Sequence, residues 1–397
     1  MRRFSIFICL QATLFASIIE PISVALIRIS FEEDSTNSTT GNGQFLLVNE
    51  GTDCGPYTID PPPHDYNYFL SQLHAVNQYF ENVSYGKFGI DLAQSSIYPS
   101  SLNGKYQLSN TMDFYNPYDD PLGQEEKLTK LFKDAIEQSY SEDAIEFSNY
   151  DLVVVFHAGI GQDFSLPFLD PTPEDIPSTY IDEDMIQEHL GESNIIVGNH
   201  AIQKGIILPE TQNHLLYDIS ETMFSDAENP CEYQYGITGT FSLMIGFAIG
   251  LPPLWDIQTG ESGVGVFGLM DQGSNNGRGI IPAPPTAWSR IYAGWENYVI
   301  GELGSEYHIP TRSENSIIKV PIREDEYYLI ESRSNWIKPK VSIDSLRYEI
   351  GSNSSSNIYP PYIQILIDSS GLERDPNGVF TFVPNYDIGL PESGLLI

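Results

Sequence analysis

Seven histidines, His64, His74, His157, His189, His200, His214 and His308, are the side chains best suited to hold a transition metal in this chain of 397 residues. None lies three or four residues from another, so a helix carrying two imidazoles on one face is absent. Ligands could still converge from separate strands. The set for that arrangement is His157, at the end of an apolar run, with His200, Glu210 and His214 downstream. An isolated strand-end histidine is more often a satisfied structural residue. No Gly-x-Ser-x-Gly elbow occurs, and nothing marks a catalytic cysteine. The loop Ala158–Asp163 is glycine-bearing, but a proline-rich acidic segment follows it where a nucleotide site needs a helix.

Charge narrows the choice of partner. With 54 acidic and 19 basic residues, a formal net charge of -35 repels a phosphate backbone, which argues against nucleic acid. The acid-rich run Asp170 to Glu188 is the candidate for calcium, though it lacks the Asp-x-Asp-x-Asp-Gly spacing of a defined loop. Otherwise the charge reads as a solvated surface suited to a salty or extracellular medium.

The elements that would position such groups are those of a globular chain, 41% apolar. Met1-Arg2-Arg3 and the apolar stretch Phe4 to Ile19 read as a secretory signal. Ser23 and Ala25 are the small residues of a cleavage site, and residues 1–25 are the expected signal peptide. Gln11, Glu20 and Pro21 interrupt the run, and no later stretch suits a bilayer span, so stable membrane insertion is not expected. Export of a bacterial type would leave the product secreted, periplasmic or at the cell surface. Cys54 and Cys231 then remain as a pair able to bridge in an oxidising compartment.

Leu26 to Phe31 and Phe45 to Val48 read as opening strands. Phe69, Leu73, Val76 and Phe80 recur at helical spacing and predict a helix ended by Gly86. A second stripe marks a helix within Gln124 to Tyr140, and Tyr150 to Phe156 reads as a buried strand. This order predicts an α/β or α+β domain over residues 26–300. After it, Ile317–Ile322, Tyr327–Ile330, Leu346–Ile350 and Tyr362–Ile367 read as short strands of a β-rich domain, 301–397. The serine-rich stretch 351–357 reads as a loop.

The most specific signal lies between Gly236 and Trp295. Gly236 to Asp256 reads Gly-Ile-Thr-Gly-Thr-Phe-Ser-Leu-Met-Ile-Gly-Phe-Ala-Ile-Gly-Leu-Pro-Pro-Leu-Trp-Asp. Gly263 to Asp271 reads Gly-Val-Gly-Val-Phe-Gly-Leu-Met-Asp, Pro282 to Ser289 reads Pro-Ala-Pro-Pro-Thr-Ala-Trp-Ser, and Ala293-Gly294-Trp295 follows. These segments resemble the immune inhibitor A family of secreted zinc metallopeptidases. In that family the first reads His-Glu-x-x-His-x-Leu-Gly-Leu-Pro-Asp, the second ends in a Leu-Met turn beneath the metal, and the third is Pro-x-x-x-Ser-Ala-Trp. The stretches Tyr79–Lys87, Val155–Gly159 and Tyr327–Arg333 are similar to it as well, so the resemblance covers roughly residues 25 to 397.

The resemblance implies a zincin-like metallopeptidase domain followed by a β-rich domain that stops short at its C-terminus. It places Met270 in the Met-turn, and Gly250, Leu251, Pro252 and Asp256 on matching positions. It also puts Leu243, Met244 and Phe247 where the family has ligand, general base and ligand, and Pro253 where it has aspartate. For the third ligand, Asp256 and Glu261 are the candidates. Leu and Phe offer a metal no lone pair, and a thioether is no base, so the expected protein lacks the zinc site and binds a protein or peptide ligand in place of cleaving it. The alternative is an active secreted metallopeptidase with a non-standard metal site.

Overall fold

The computed structural model describes residues 17–397 apart from 50–51, 53, 121–122, 165–169, 218–228 and 356–357. The fold is mixed α+β, built on a six-stranded sheet whose path runs β2 (Ser96–Tyr98), β1 (Val24–Ser30), β4 (Leu152–Ile160), β8 (Gly205–Thr211), β5 (Thr179–Ile181), with β3 (Tyr106–Gln107) also pairing β1. All pairs are parallel except β5 with β8, which is antiparallel and forms one edge.

Strands β1, β4 and β8 are buried along their whole length because both sheet faces are covered. Their side chains alternate between two cores. Val24, Leu26, Val154, Phe156, Ile206 and Leu208 join a cluster with α1 (Tyr66–Val83) and α4 (Thr238–Ala248); Ala25, Ile27, Val153, Val155 and Ile207 join one with α2 (Gln124–Asp143) and α3 (Glu183–Leu190). The apolar stripes expected on α1 and α2 are the faces they bury. Helix α1 opens on Asp65, whose carboxylate accepts the N–H groups of Asn67 and Tyr68. It closes near Gly86, at φ +74°.

Val24 and Ala25 are fully buried at the start of the central strand. The expected signal peptide, residues 1–25, thus overlaps the first two residues of β1. Residues 1–16, which hold the charged part and most of the apolar part of the expected signal, lie outside the described residues. Phe45 to Val48 is not a strand. The backbone N–H of Leu46 donates to a Glu210 carboxylate oxygen at 3.0 Å and its carbonyl accepts from His64 N, so this run is held by a side chain and a turn instead of a ladder.

Beyond residue 297 a second sheet runs β14 (Gly394–Leu396), β11 (Tyr327–Arg333), β10 (Ile317–Pro321), β9 (Tyr298–Ile300). Two of the four short strands expected in this β-rich region need correction. Leu346–Ile350 lies within helix α6 (Ile343–Asn353), and Tyr362–Ile367 within α7 (Tyr362–Ser369). A short apolar run does not distinguish strand from helix, and the deciding cue is at the start: the Ser342 hydroxyl caps Ser345 N. Part of the stretch read as a serine-rich loop, Gly351 to Asn353, is the last turn of α6.

Residues 343–388 contribute to the same core as α1 and α4. The hairpin of β12 (Glu373–Arg374) and β13 (Phe380–Phe382) packs on α1, where Tyr386 meets Tyr79 edge-on with ring centroids 4.8 Å apart.

Candidate functional site

Helix α4 runs through the segment that carries the resemblance, against the sheet. Its inner side is anchored by Phe241, whose ring meets Phe156 of β4 at 5.3 Å, and by fully buried Ile245. It ends because Gly250 takes φ +89°, which lets Leu251 N donate back to Gly246 O at 2.9 Å. Gly246 is the point of closest approach to the Leu269–Met270 turn: a Cβ there would lie 2.6 Å from the Met270 sulfur. Met270 is fully buried beneath the helix, and its carbonyl accepts Leu254 N at 2.8 Å.

Leu243 and Phe247, four apart, share a face of α4 that is only half-buried, while Met244 is 9% exposed. Phe247 stacks on Tyr180 of β5, with centroids 6.2 Å apart and planes 22° from parallel, and meets Trp255 edge-on at 5.6 Å. Tyr180 and Trp255 are themselves half-buried. The result is a shallow apolar face at the antiparallel edge of the main sheet, neither sealed into the core nor lined with polar groups. Zinc does not fit Leu243, Met244 and Phe247, which offer it hydrocarbon and one thioether. Asp256 and Glu261 occupy an exposed loop. The Asp256 carboxylate is taken by Gln258 N and Thr259 N, which hold it below its ordinary range.

The histidine set named from sequence is distributed among three surroundings. His157 is fully buried; its Nδ1 donates to Ala158 O at 2.9 Å, and burial drives its pKa down to about 4, so the ring is neutral. His200 lies on β7 (His200–Ile202) between Tyr140 and Phe147, 3.3 Å from Glu146. His214 opens a 3-10 turn after β8, and burial lowers its pKa. Among the described residues no three His, Cys, Asp or Glu side chains are gathered as a metal would require.

Glu210 has a different set of partners. It is fully buried, with Oε2 2.5 Å from His64 Nδ1 and 3.0 Å from Leu46 N, and with Oε1 accepting from Gly159 N and from the Tyr217 hydroxyl, both at 2.7 Å. The other His64 nitrogen is 2.9 Å from the carbonyl of Asp60. A carbonyl and a carboxylate both accept, so both ring nitrogens donate and His64 is held as the imidazolium. Burial, the largest single influence, would lower its pKa, but the Glu210 charge and hydrogen bond, with the Asp60 carbonyl and carboxylate, together raise it. Asp60 in turn accepts from Gln72 and from Ile237 N, immediately before α4. Spacing gave no sign of this pair, because its members stand 146 residues apart.

Asp271, which closes the second motif segment but has no role assigned from sequence, is a second such group. One of its carboxylate oxygens accepts from Ser262 Oγ and from the backbone N–H groups of Gly263, Val264 and Gly265, at 2.8–3.0 Å. It thereby fixes the loop that leads into the Met270 turn. Burial opposes ionisation of Asp271, yet these donors prevail and hold its carboxyl below the usual range.

The bridge between Cys54 and Cys231 is formed, with Cα atoms 5.6 Å apart. It ties the turn that carries Asp60 and His64 to the approach to α4. Gln234 reinforces the join, accepting Ile59 N at 2.9 Å and donating to Tyr57 O at 3.1 Å.

Among the described residues no helix is long and apolar enough to cross a membrane. Compared with known proteins, the chain matches no family model, and no curated protein matches it.

Proposed function

We propose that this chain is a secreted, zincin-like peptidase relative without peptidase activity, and that it binds an extended peptide or protein segment across the outer face of α4. The observation that carries this reading is the pairing of Leu243 and Phe247 with Tyr180 and Trp255. An apolar, half-exposed surface stands where the family resemblance puts a zinc ion and its base. Support also comes from the Met270 turn packed under Gly246, where the resemblance leads one to expect a turn beneath the helix. Strand β5, at the end of the sheet path, supplies a backbone edge beside that face. Extended peptides add to such edges through main-chain hydrogen bonds, while apolar pockets alongside select their side chains.

Two measurements test the reading. Purified protein is expected to carry substoichiometric zinc by elemental analysis and to leave unfolded casein intact with zinc, cobalt or manganese added. One zinc per chain together with chelator-sensitive cleavage would overturn the loss of activity. For binding, a display of extended hexapeptides with alternating apolar residues is expected to yield ligands followed by fluorescence anisotropy. Phe247→Ala should weaken their Kd about tenfold, since a central aromatic contact is commonly worth at least about 1.4 kcal/mol. Ligands with unchanged Kd in Phe247→Ala and Tyr180→Ala variants, both folded by circular dichroism, would place binding elsewhere.

A further inference from the structure

A narrow crevice lies where the end of α1 meets the second sheet. Arg290, Arg312 and Arg333 line it with Glu296, Glu331 and Tyr85, and it admits a water-sized body and little more. Two of the arginines are neutralised. Arg290 is bound by Glu296 and, at 2.6 Å, by Glu331; Arg333 donates to Glu331 at 3.2 Å and to Asp387 at 2.7 Å. Arg312 differs. Its two terminal nitrogens donate to the neutral amide oxygens of Asn385 and Asn82, each at 2.6 Å, and no carboxylate lies within ion-pair distance of it among the described residues.

A second observation points to a missing partner. Arg333 is 4% exposed, and its Nη2 is buried with no hydrogen-bond partner among the described residues. A buried guanidinium nitrogen left unsatisfied is costly, and such groups are normally completed by a water or an ion. Tyr85 brings its hydroxyl to the same crevice from a left-handed backbone position, φ +58°, that a bulky side chain rarely adopts. With Asp387 counted beside Glu296 and Glu331, three carboxylates face three guanidinium groups, but all three pair with Arg290 and Arg333 and, among the described residues, none pairs directly with Arg312.

We propose that this crevice is a binding site for a single small anion of halide size, chloride in physiological media, held by Arg312, Arg333 and the Tyr85 hydroxyl. Polyatomic oxyanions are too large for it. Because Asn82 belongs to α1 and Arg312 precedes β10, the bound anion acts as a clasp between the two sheets' layers.

The full chain is to be melted in sodium chloride and in sodium gluconate at equal ionic strength, and crystals are to be soaked in sodium bromide. The expected result is a melting temperature about 2 to 4 °C higher in chloride, with a bromide anomalous peak between Arg312 and Arg333. Arg312→Gln, which can still bond an asparagine, should melt equally in both salts. Should that variant not fold, Tyr85→Phe removes one donor only and should shrink the difference. Equal melting of the parent protein in the two salts, or a crevice holding water only in bromide, overturns the proposal. So does a chloride effect that persists undiminished in either variant.

Discussion

Replacing His64 by alanine is expected to destabilise the protein by about 3–5 kcal/mol at pH 6, the cost of stranding a buried carboxylate whose charged partner has been removed. Both members of the His64–Glu210 pair are fully buried, so water cannot compensate. The pH dependence has a definite sign. The imidazole's pKa is raised in the folded state, so its contribution is complete below the unfolded value of about 6.5 and is lost as pH rises through the folded value. Urea unfolding of parent and variant across pH 6 to 10 should therefore give curves that converge on the alkaline side. A difference below about 1 kcal/mol at pH 6, the size of a lost neutral hydrogen bond, would mean that the pair is not ionised.

Reduction of the Cys54–Cys231 bridge is expected to cost up to about 5 kcal/mol in the chain-entropy account, because the loop it closes is long, with a sequence separation of 177. The loss should appear as a lower urea midpoint in dithiothreitol and in a Cys54→Ser, Cys231→Ser variant alike. Non-reducing peptide mapping should recover the two cysteines in one fragment pair. Two free thiols in protein made under oxidising conditions would contradict the bridge. Both expectations concern the same corner of the molecule, where the turn before α1 is pinned to β8 by an ion pair and to the approach to α4 by a covalent link.

Where periodicity was long, the sequence disclosed the fold. The stripes on α1 and α2 and the apolar run of β4 matched observed elements. The central strand β8 was not recognised because Pro209 and Glu210 break its apolar character. In the structure, Pro209 stands opposite His157, beside a break in the β4 register, and Glu210 is satisfied by side chains and loops. Local pattern could not reveal either accommodation, since each depends on residues far along the chain. The same limit explains why Glu210 read as a stray metal candidate when it is half of an ion pair, and why Tyr180, remote in sequence from α4, was not placed beside Phe247.

The cover over α1 has a consequence for how this protein comes into being. Ser71 is bonded by Asp375, which stands 304 residues further along the chain, and Gln78 by Val383 and Tyr386. A ribosome or translocation pore that delivers the N-terminus first therefore releases α1 long before its lid exists. Its outer aromatic residues must wait, exposed, for the residues 304 positions further on to arrive. Contacts this distant close late and slowly, and they invite chaperone attention in the interval. Native packing around α1 thus waits on residues 375–386, in a late step that joins segments far apart along the chain.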